Sequence, residues 1–213
     1  MESVDEKLIP LEQFAKQYYD TDGPNQWPHI QRVKRQAERL AMFRKQGLTK
    51  EELAAIYFHD IGKREAGNMD HGEYAAKITR PLLRDYLTPA QIETVITAIK
   101  AHNFDKPSPN STAELLRAAD ANIPNIAWFL RKSYYKMRDK GYSHEEALRN
   151  AKNGAKKHIM TAAQLKYRPK IYEQTFAQDI YNAEKEADNL SLKDVETLIK
   201  QYNEAHPTES KYT

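Results

Sequence analysis

Five times between Thr49 and Glu146 a short oxygen-bearing side chain is followed three positions later by Glu or Gln: Thr49 with Glu52, Asp70 with Glu73, Thr88 with Gln91, Ser111 with Glu114, and Ser143 with Glu146. In that spacing the first side chain accepts from a first-turn amide while the Glu or Gln reaches back to the opening amide. Two of the donors that every helix start leaves over are thereby satisfied. Apolar residues recur with helical period behind these starts, and no segment alternates as a half-buried strand would. An all-α chain is therefore expected, with helices near 26–46, 50–61, 71–86, 89–103, 111–121, 125–140 and 144–165 and one or two beyond 170. Pro81 should kink or end its helix, and Gly47 and Gly62 stand where a helix closes on a left-handed residue. The stretch 103–110, with Pro107 and Pro109, reads as a loop.

Length and composition narrow the class. A chain of 213 residues suits one main core, here about 25–125, with a helical extension over about 125–205. Without cysteine there is neither a disulfide framework nor thiolate metal ligation. Apolar runs such as 54–58 and 126–130 are too short to cross a bilayer, and the acidic opening MESVDEKL has no apolar core behind it. A soluble cytoplasmic protein without a membrane partner is expected. The net charge of +3 conceals a segregation, because residues 131–170 hold twelve Lys/Arg against three Asp/Glu. Such a stretch is either a solvated helix face or a positive wall for an anionic substrate or a nucleic acid.

Six candidate metal ligands lie in the first 120 residues: His29, the adjacent pair His59 and Asp60, His71, His102 and Asp120. Their placement follows the apolar stripes. Leu53, Ile56 and Tyr57 continue to Asp60; His29 leads Val33, Ala37 and Leu40; His71 leads Ala75, Ile78 and Leu82. His102 ends the run Ile92, Val95, Ile99, and Asp120 follows Leu116. Each would face a core, where an ionised carboxylate or an imidazole needs a partner, and a divalent ion is a sufficient one. Taken singly, each has an ordinary reading as a hydrogen-bonded core His or a capping Asp. Taken jointly they point to a metal site for Mn, Fe, Co, Ni or Zn rather than Mg. His144, His158 and His206 stand outside the set and are expected on the surface.

Over residues 25–125 the strings WPHIQRV, FHDIGK, DHGEYAA, IKAHN and RAADAN resemble the motifs of the HD-domain superfamily of metal-dependent phosphohydrolases. The resemblance implies an HD-domain helical bundle with additional C-terminal helices. It also implies two divalent ions, one held by His29, His59, Asp60 and Asp120 and the other by Asp60, His71 and His102, with Asp60 bridging. The spacing is most similar to bacterial two-metal members that cleave dinucleoside polyphosphates. The Gly-Tyr-Pro motif of the cyclic-dinucleotide enzymes and the Glu-Asp motif of the guanosine tetraphosphate hydrolases are absent, so substrate identity does not transfer.

The implied chemistry is cleavage of a phosphoester or phosphoanhydride, in a small phosphorylated substrate of nucleotide type, by a hydroxide between the two ions. Asp60 and Lys63 would be catalytic. Arg32, Lys63, Arg64, Lys132 and Lys136 would contact substrate. Lys63 could equally complement a helix C-terminus, and Arg32 could equally pair with a buried carboxylate. Two rivals share these residues: a mixed-valence di-iron oxygenase on the same ligand set, and a nucleic-acid-binding module with a structural metal, in which Tyr134, Tyr135, Tyr142 and Tyr167 stack bases. Nucleic acid is the less favoured partner, because aromatics at this spacing more often pack a core. The sequence leaves the oligomeric state open.

Overall fold

The structure, a computed structural model, describes residues 4–19, 27–63, 65–66, 69–102, 107–121, 126–163 and 172–207. Through them run α1 (Val4–Lys16), α2 (Trp27–Ala41), α3 (Lys50–Phe58), α4 (His71–Leu82), α5 (Pro89–Lys100), α6 (Ser111–Ala121), α7 (Ile126–Asp139), α8 (His144–Ala163), α9 (Glu173–Asn189) and α10 (Leu192–Ala205), with a short 3-10 turn at Met42–Arg44. The described residues contain no strand, as the sequence led us to expect.

Reciprocal caps open three of the five expected starts. Thr49 accepts from Glu52 N at 3.2 Å while Glu52 accepts from Thr49 N at 2.9 Å. Thr88 with Gln91 and Ser143 with Glu146 do the same. Asp70 caps α4 by accepting from Glu73 N, but the Glu73 carboxylate pairs with Lys100 at 2.8 Å instead of returning to the cap. At α6 the expected Ser111 is displaced by its neighbour. Asn110 Oδ1 accepts from Ala113 N at 2.8 Å, and the Asn110 amide also donates to Thr94 O, so Asn110 fastens the helix start to α5.

Some boundaries differ from expectation for local reasons. α3 stops at Phe58 rather than 61, and His59–Lys63 form turns around Gly62, whose φ is +69°. A methyl there would also stand 2.6 Å from the Tyr74 ring. Near 47 the left-handed residue is Lys45, φ 55°, which closes the 3-10 turn, and not Gly47. α4 ends at Leu82, one residue beyond Pro81. The unexpected element is α1, which carries Pro10 yet buries Leu11 and Ala15 in the core.

The described helices fall into two compact units that divide after Ala121. In the first, α1–α6 and Tyr172 bury one apolar set around Ile30, Ile56, Phe58, Val95, Ile99 and Leu115. α3 packs on α5 and α6, α2 on α6, and α4 on α5, so the ends of several helices converge. In the second, α7 packs on α8 and α10, and α8 on α9, over Leu130, Ala151, Ile159, Phe176 and Val195. No described helix is long and apolar enough to cross a membrane.

Candidate metal centre

All six expected ligands lie in the first unit, each at or near an end of its helix. His29 sits in the first turn of α2, where Pro28 is tolerated because first-turn amides have no intrahelical acceptor. The stripe it leads, Val33, Ala37 and Leu40, is buried. His59 caps the end of α3 and Asp60 follows in the turn; His71 opens α4; His102 follows the end of α5; Asp120 is in the last turn of α6. Asp70 takes the capping role at α4, which frees the His71 ring to face the cluster.

Two groups of donors form, His29 with His59 and Asp120, and Asp60 with His71 and His102. In the first, His29 Nε2 stands 3.2 Å from His59 Nε2 and 3.3 Å from Asp120 Oδ1. In the second, His71 Nε2 stands 2.8 Å from His102 Nε2. Asp60 faces both. Its Oδ2 is 3.4 Å from His29 Nε2 and 3.8 Å from His59 Nε2, while its Oδ1 is 3.8 Å from His71 Nε2 and 4.0 Å from His102 Nε2. Donors about 2.0–2.2 Å from one ion lie about 3–3.5 Å from each other; the three distances from His29 Nε2 match that spacing, and the others, from 2.8 to 4.0 Å, bracket it.

Backbone carbonyls settle the imidazole tautomers. His59 Nδ1 bonds Ile56 O at 2.9 Å and His102 Nδ1 bonds Ile99 O at 2.6 Å, so in both rings Nδ1 carries the proton and Nε2 turns a lone pair toward the cluster. Lone pairs and carboxylates crowded together repel unless a cation lies among them, which is the fit a metal site requires. Burial lowers the pKa of His59, of His71 and of His102, and a neighbouring imidazole lowers each further, so these candidate ligands are ready in neutral form. His29 behaves otherwise. Burial presses it down, but Asp120 and Asp60 outweigh that and hold it above its ordinary value, so a metal would displace a proton there. Burial also pushes both carboxyls up, yet His59, His29 and Lys63 hold Asp60 well below the usual range, and His29 and His59 do the same for Asp120.

The other expected site residues divide. Lys63 Nζ bonds both oxygens of Asp60, at 2.8 and 3.0 Å, and thus faces the cluster. Arg32 Nη2 lies 3.4 Å from His29 Nδ1. Arg64 lies outside the described residues. Lys132 and Lys136 belong to α7 of the second unit and are exposed; Lys132 stands over the Trp128 ring at 4.8 Å. His144 is exposed and bonds Tyr134 and Glu196, as expected of a residue outside the cluster. What the sequence reading missed are the acceptors Ile56 O and Ile99 O, each three residues before its histidine. That spacing places a helix carbonyl under the following ring, so the signal was present.

Residues 27–124 match the family model described as HD domain. None of the curated proteins matches the chain. A solved structure, a predicted HD superfamily hydrolase from an uncultured Thermotogales bacterium, is similar at 20% identity with a TM-score of 0.47, covering 75% of this chain and 89% of that one.

Proposed function

Because residues 27–124 match the model of the HD domain, of a superfamily made up typically of metal-dependent hydrolases, we propose that the chain hydrolyses a phosphoester or phosphoanhydride of a small, nucleotide-type substrate with two divalent ions. The observation that carries this reading is the split of Asp60. One oxygen faces the His29–His59 pair and the other faces the His71–His102 pair. A single ion would not need a carboxylate turned to two imidazole pairs. His29, His59 and Asp120 would hold one ion, His71 and His102 the other, and Asp60 both.

When bound, the ions supply the Lewis acidity that activates water and neutralises phosphoryl oxygens. The residues of the chain prepare the rest. Ile56 O and Ile99 O fix the rings of His59 and His102, so the donors need little reorganisation. Only two carboxylates are present among the six ligands, so a centre with two dications keeps a positive charge, to which Lys63 and Arg32 add. That balance favours an anionic substrate and supports phosphate over a neutral one. Lys63, tied to Asp60 yet 39% exposed, is placed to exchange a carboxylate partner for a phosphate oxygen.

The test is metal analysis of the purified chain after anaerobic loading with Mn or Fe, then a nucleotide and phosphodiester hydrolysis screen with oxygen uptake followed in parallel. Two bound equivalents and hydrolysis without oxygen consumption are expected. Asp60→Ala should remove most metal and reduce turnover by at least about 10³-fold, because its loss leaves both ions short of a ligand and of charge. His144→Ala should do neither. Equal losses in both variants, or oxygen uptake coupled to substrate oxidation, would overturn the reading.

A further inference from the structure

Gly72 is buried in the first turn of α4, directly after His71. Its backbone does not demand glycine, since among the described glycines only Gly62 and Gly141 have positive φ. The demand is for space. A methyl group at position 72 would stand 2.9 Å from Ile99 O, 3.1 Å from Asp70 Oδ1 and 3.3 Å from His102 Cε1. Ile99 O is the carbonyl that fixes the His102 tautomer, accepting from its Nδ1 at 2.6 Å and from its amide at 3.3 Å. A side chain here must therefore push on the ring of one ligand or on that ring's own acceptor, or move the start of α4 and His71 with it. Each of these disturbs the 2.8 Å approach of His71 to His102.

Arg117 fastens the same corner through the residue just before His102. It is fully buried on α6, one turn before Asp120, and its Nε donates to Ala101 O, the carbonyl just before His102. Its Nη1 reaches Ser108 Oγ at 3.2 Å. Carbonyls at a helix end lack intrahelical partners, and a guanidinium satisfies one while complementing the dipole. Arg117 thereby ties the segment carrying His102 to the helix carrying Asp120.

We propose that Gly72 and Arg117 are positioning residues for His102, and that together they decide whether the second donor group, Asp60 with His71 and His102, takes its ion. None of the three atoms nearest a methyl at position 72 belongs to the first group. The inference rests on the two-ion reading above and adds which ion is conditional and what makes it so.

Reading the two ions separately distinguishes this role from a merely structural one. Alanine is a better helix residue than glycine, but its methyl meets the Ile99 carbonyl, so Gly72→Ala should lower the Tm of the metal-stripped fold as well as damaging the site. Mn(II) titration of the metal-stripped full chain, followed by electron paramagnetic resonance, reads the two ions separately. Wild type should take two equivalents and show an exchange-coupled pair. Gly72→Ala should keep the first equivalent with the spectrum of an isolated ion and bind the second at least about 10-fold more weakly, the scale on which supporting residues act. Arg117→Lys, which keeps the charge but loses the planar fork, should lose the same equivalent. Should Gly72→Ala fold poorly, Arg117→Lys alone carries the test. Second-ion affinity equal to wild type, or parallel loss of both equivalents, overturns the inference; a wild type that takes one equivalent overturns the two-ion reading instead.

Discussion

Glu12 shows how a single side chain can hold an element that the sequence hides. Its Oε2 accepts from Lys34 Nζ at 2.9 Å and from Tyr57 Oη at 2.7 Å, and Tyr19 Oη donates to Tyr57 O at 2.6 Å, so α1 is fastened to α2 and to α3 just before His59. Burial pushes the Glu12 carboxyl up, but the bonds from Lys34 and Tyr57 outweigh it and set it below its ordinary value of 4.5. A depressed carboxyl contributes stability that is present above the unfolded value and lost as pH falls through the folded one. Glu12→Gln should therefore cost about 0.5–1 kcal/mol at neutral pH, discounted because the pair is partly exposed to solvent. The difference from wild type should vanish at strongly acidic pH. Urea unfolding at the two pH values checks it, and a gap that persists in acid would mean that packing, not charge, holds α1.

At the scale of elements, α3 carries the cluster at one end and its cap at the other. Thr49→Ala removes one half of the reciprocal cap, while Glu52 stays paired with Arg44 at 2.6 and 2.9 Å. A loss of about 1 kcal/mol is expected, near 2–4 °C in Tm for a chain of this size, with metal content unchanged. Thermal unfolding with metal analysis on the same sample would show it; lost metal would mean that the cap also sets His59. Such caps are what made the fold legible, because they are local, and so is the periodicity that put the six candidate ligands on core-facing stripes, of which the one led by His71 is only partly buried beyond Ala75. Where a distant partner chooses, the sequence was silent. Nothing around Ser111 tells that Asn110 takes its role by reaching Thr94 O, and α1 hides behind Pro10 because its hold lies in Lys34 and Tyr57. The six candidate ligands stood on stripes readable in the same way, and their division into two groups sharing Asp60 was implied by the family resemblance; the space at Gly72, which exists only where α4 meets the end of α5, had no sequence signal. Ser191 with Asp194 is the opposite case, a reciprocal cap with a plain local signal that went unnoticed.

Across the whole molecule, the six candidate ligands come from five separate stretches of chain between His29 and Asp120, all within the first unit, and they meet only when α2–α6 are packed. An ion that binds this arrangement and not the unfolded chain adds RT ln(1 + [M]/Kd), about 2.7 kcal/mol at a hundred times Kd and about 4.1 at a thousand. That gain belongs to the elements the ligands join. Hydrogen exchange of the loaded protein should therefore slow in α2–α6, most at the end of α3, the start of α4 and the end of α5, and a chelator should reverse the slowing. The helices α7–α10 carry none of the six ligands and serve as the internal reference. Acid should act as the chelator does, because His29 must surrender a proton to bind an ion while buried His59 and His102 resist taking one, so falling pH meets the ligand set first at His29. Protection that fell equally in all ten helices on chelation would mean that the ion supports the molecule as a whole and not the unit that holds its ligands.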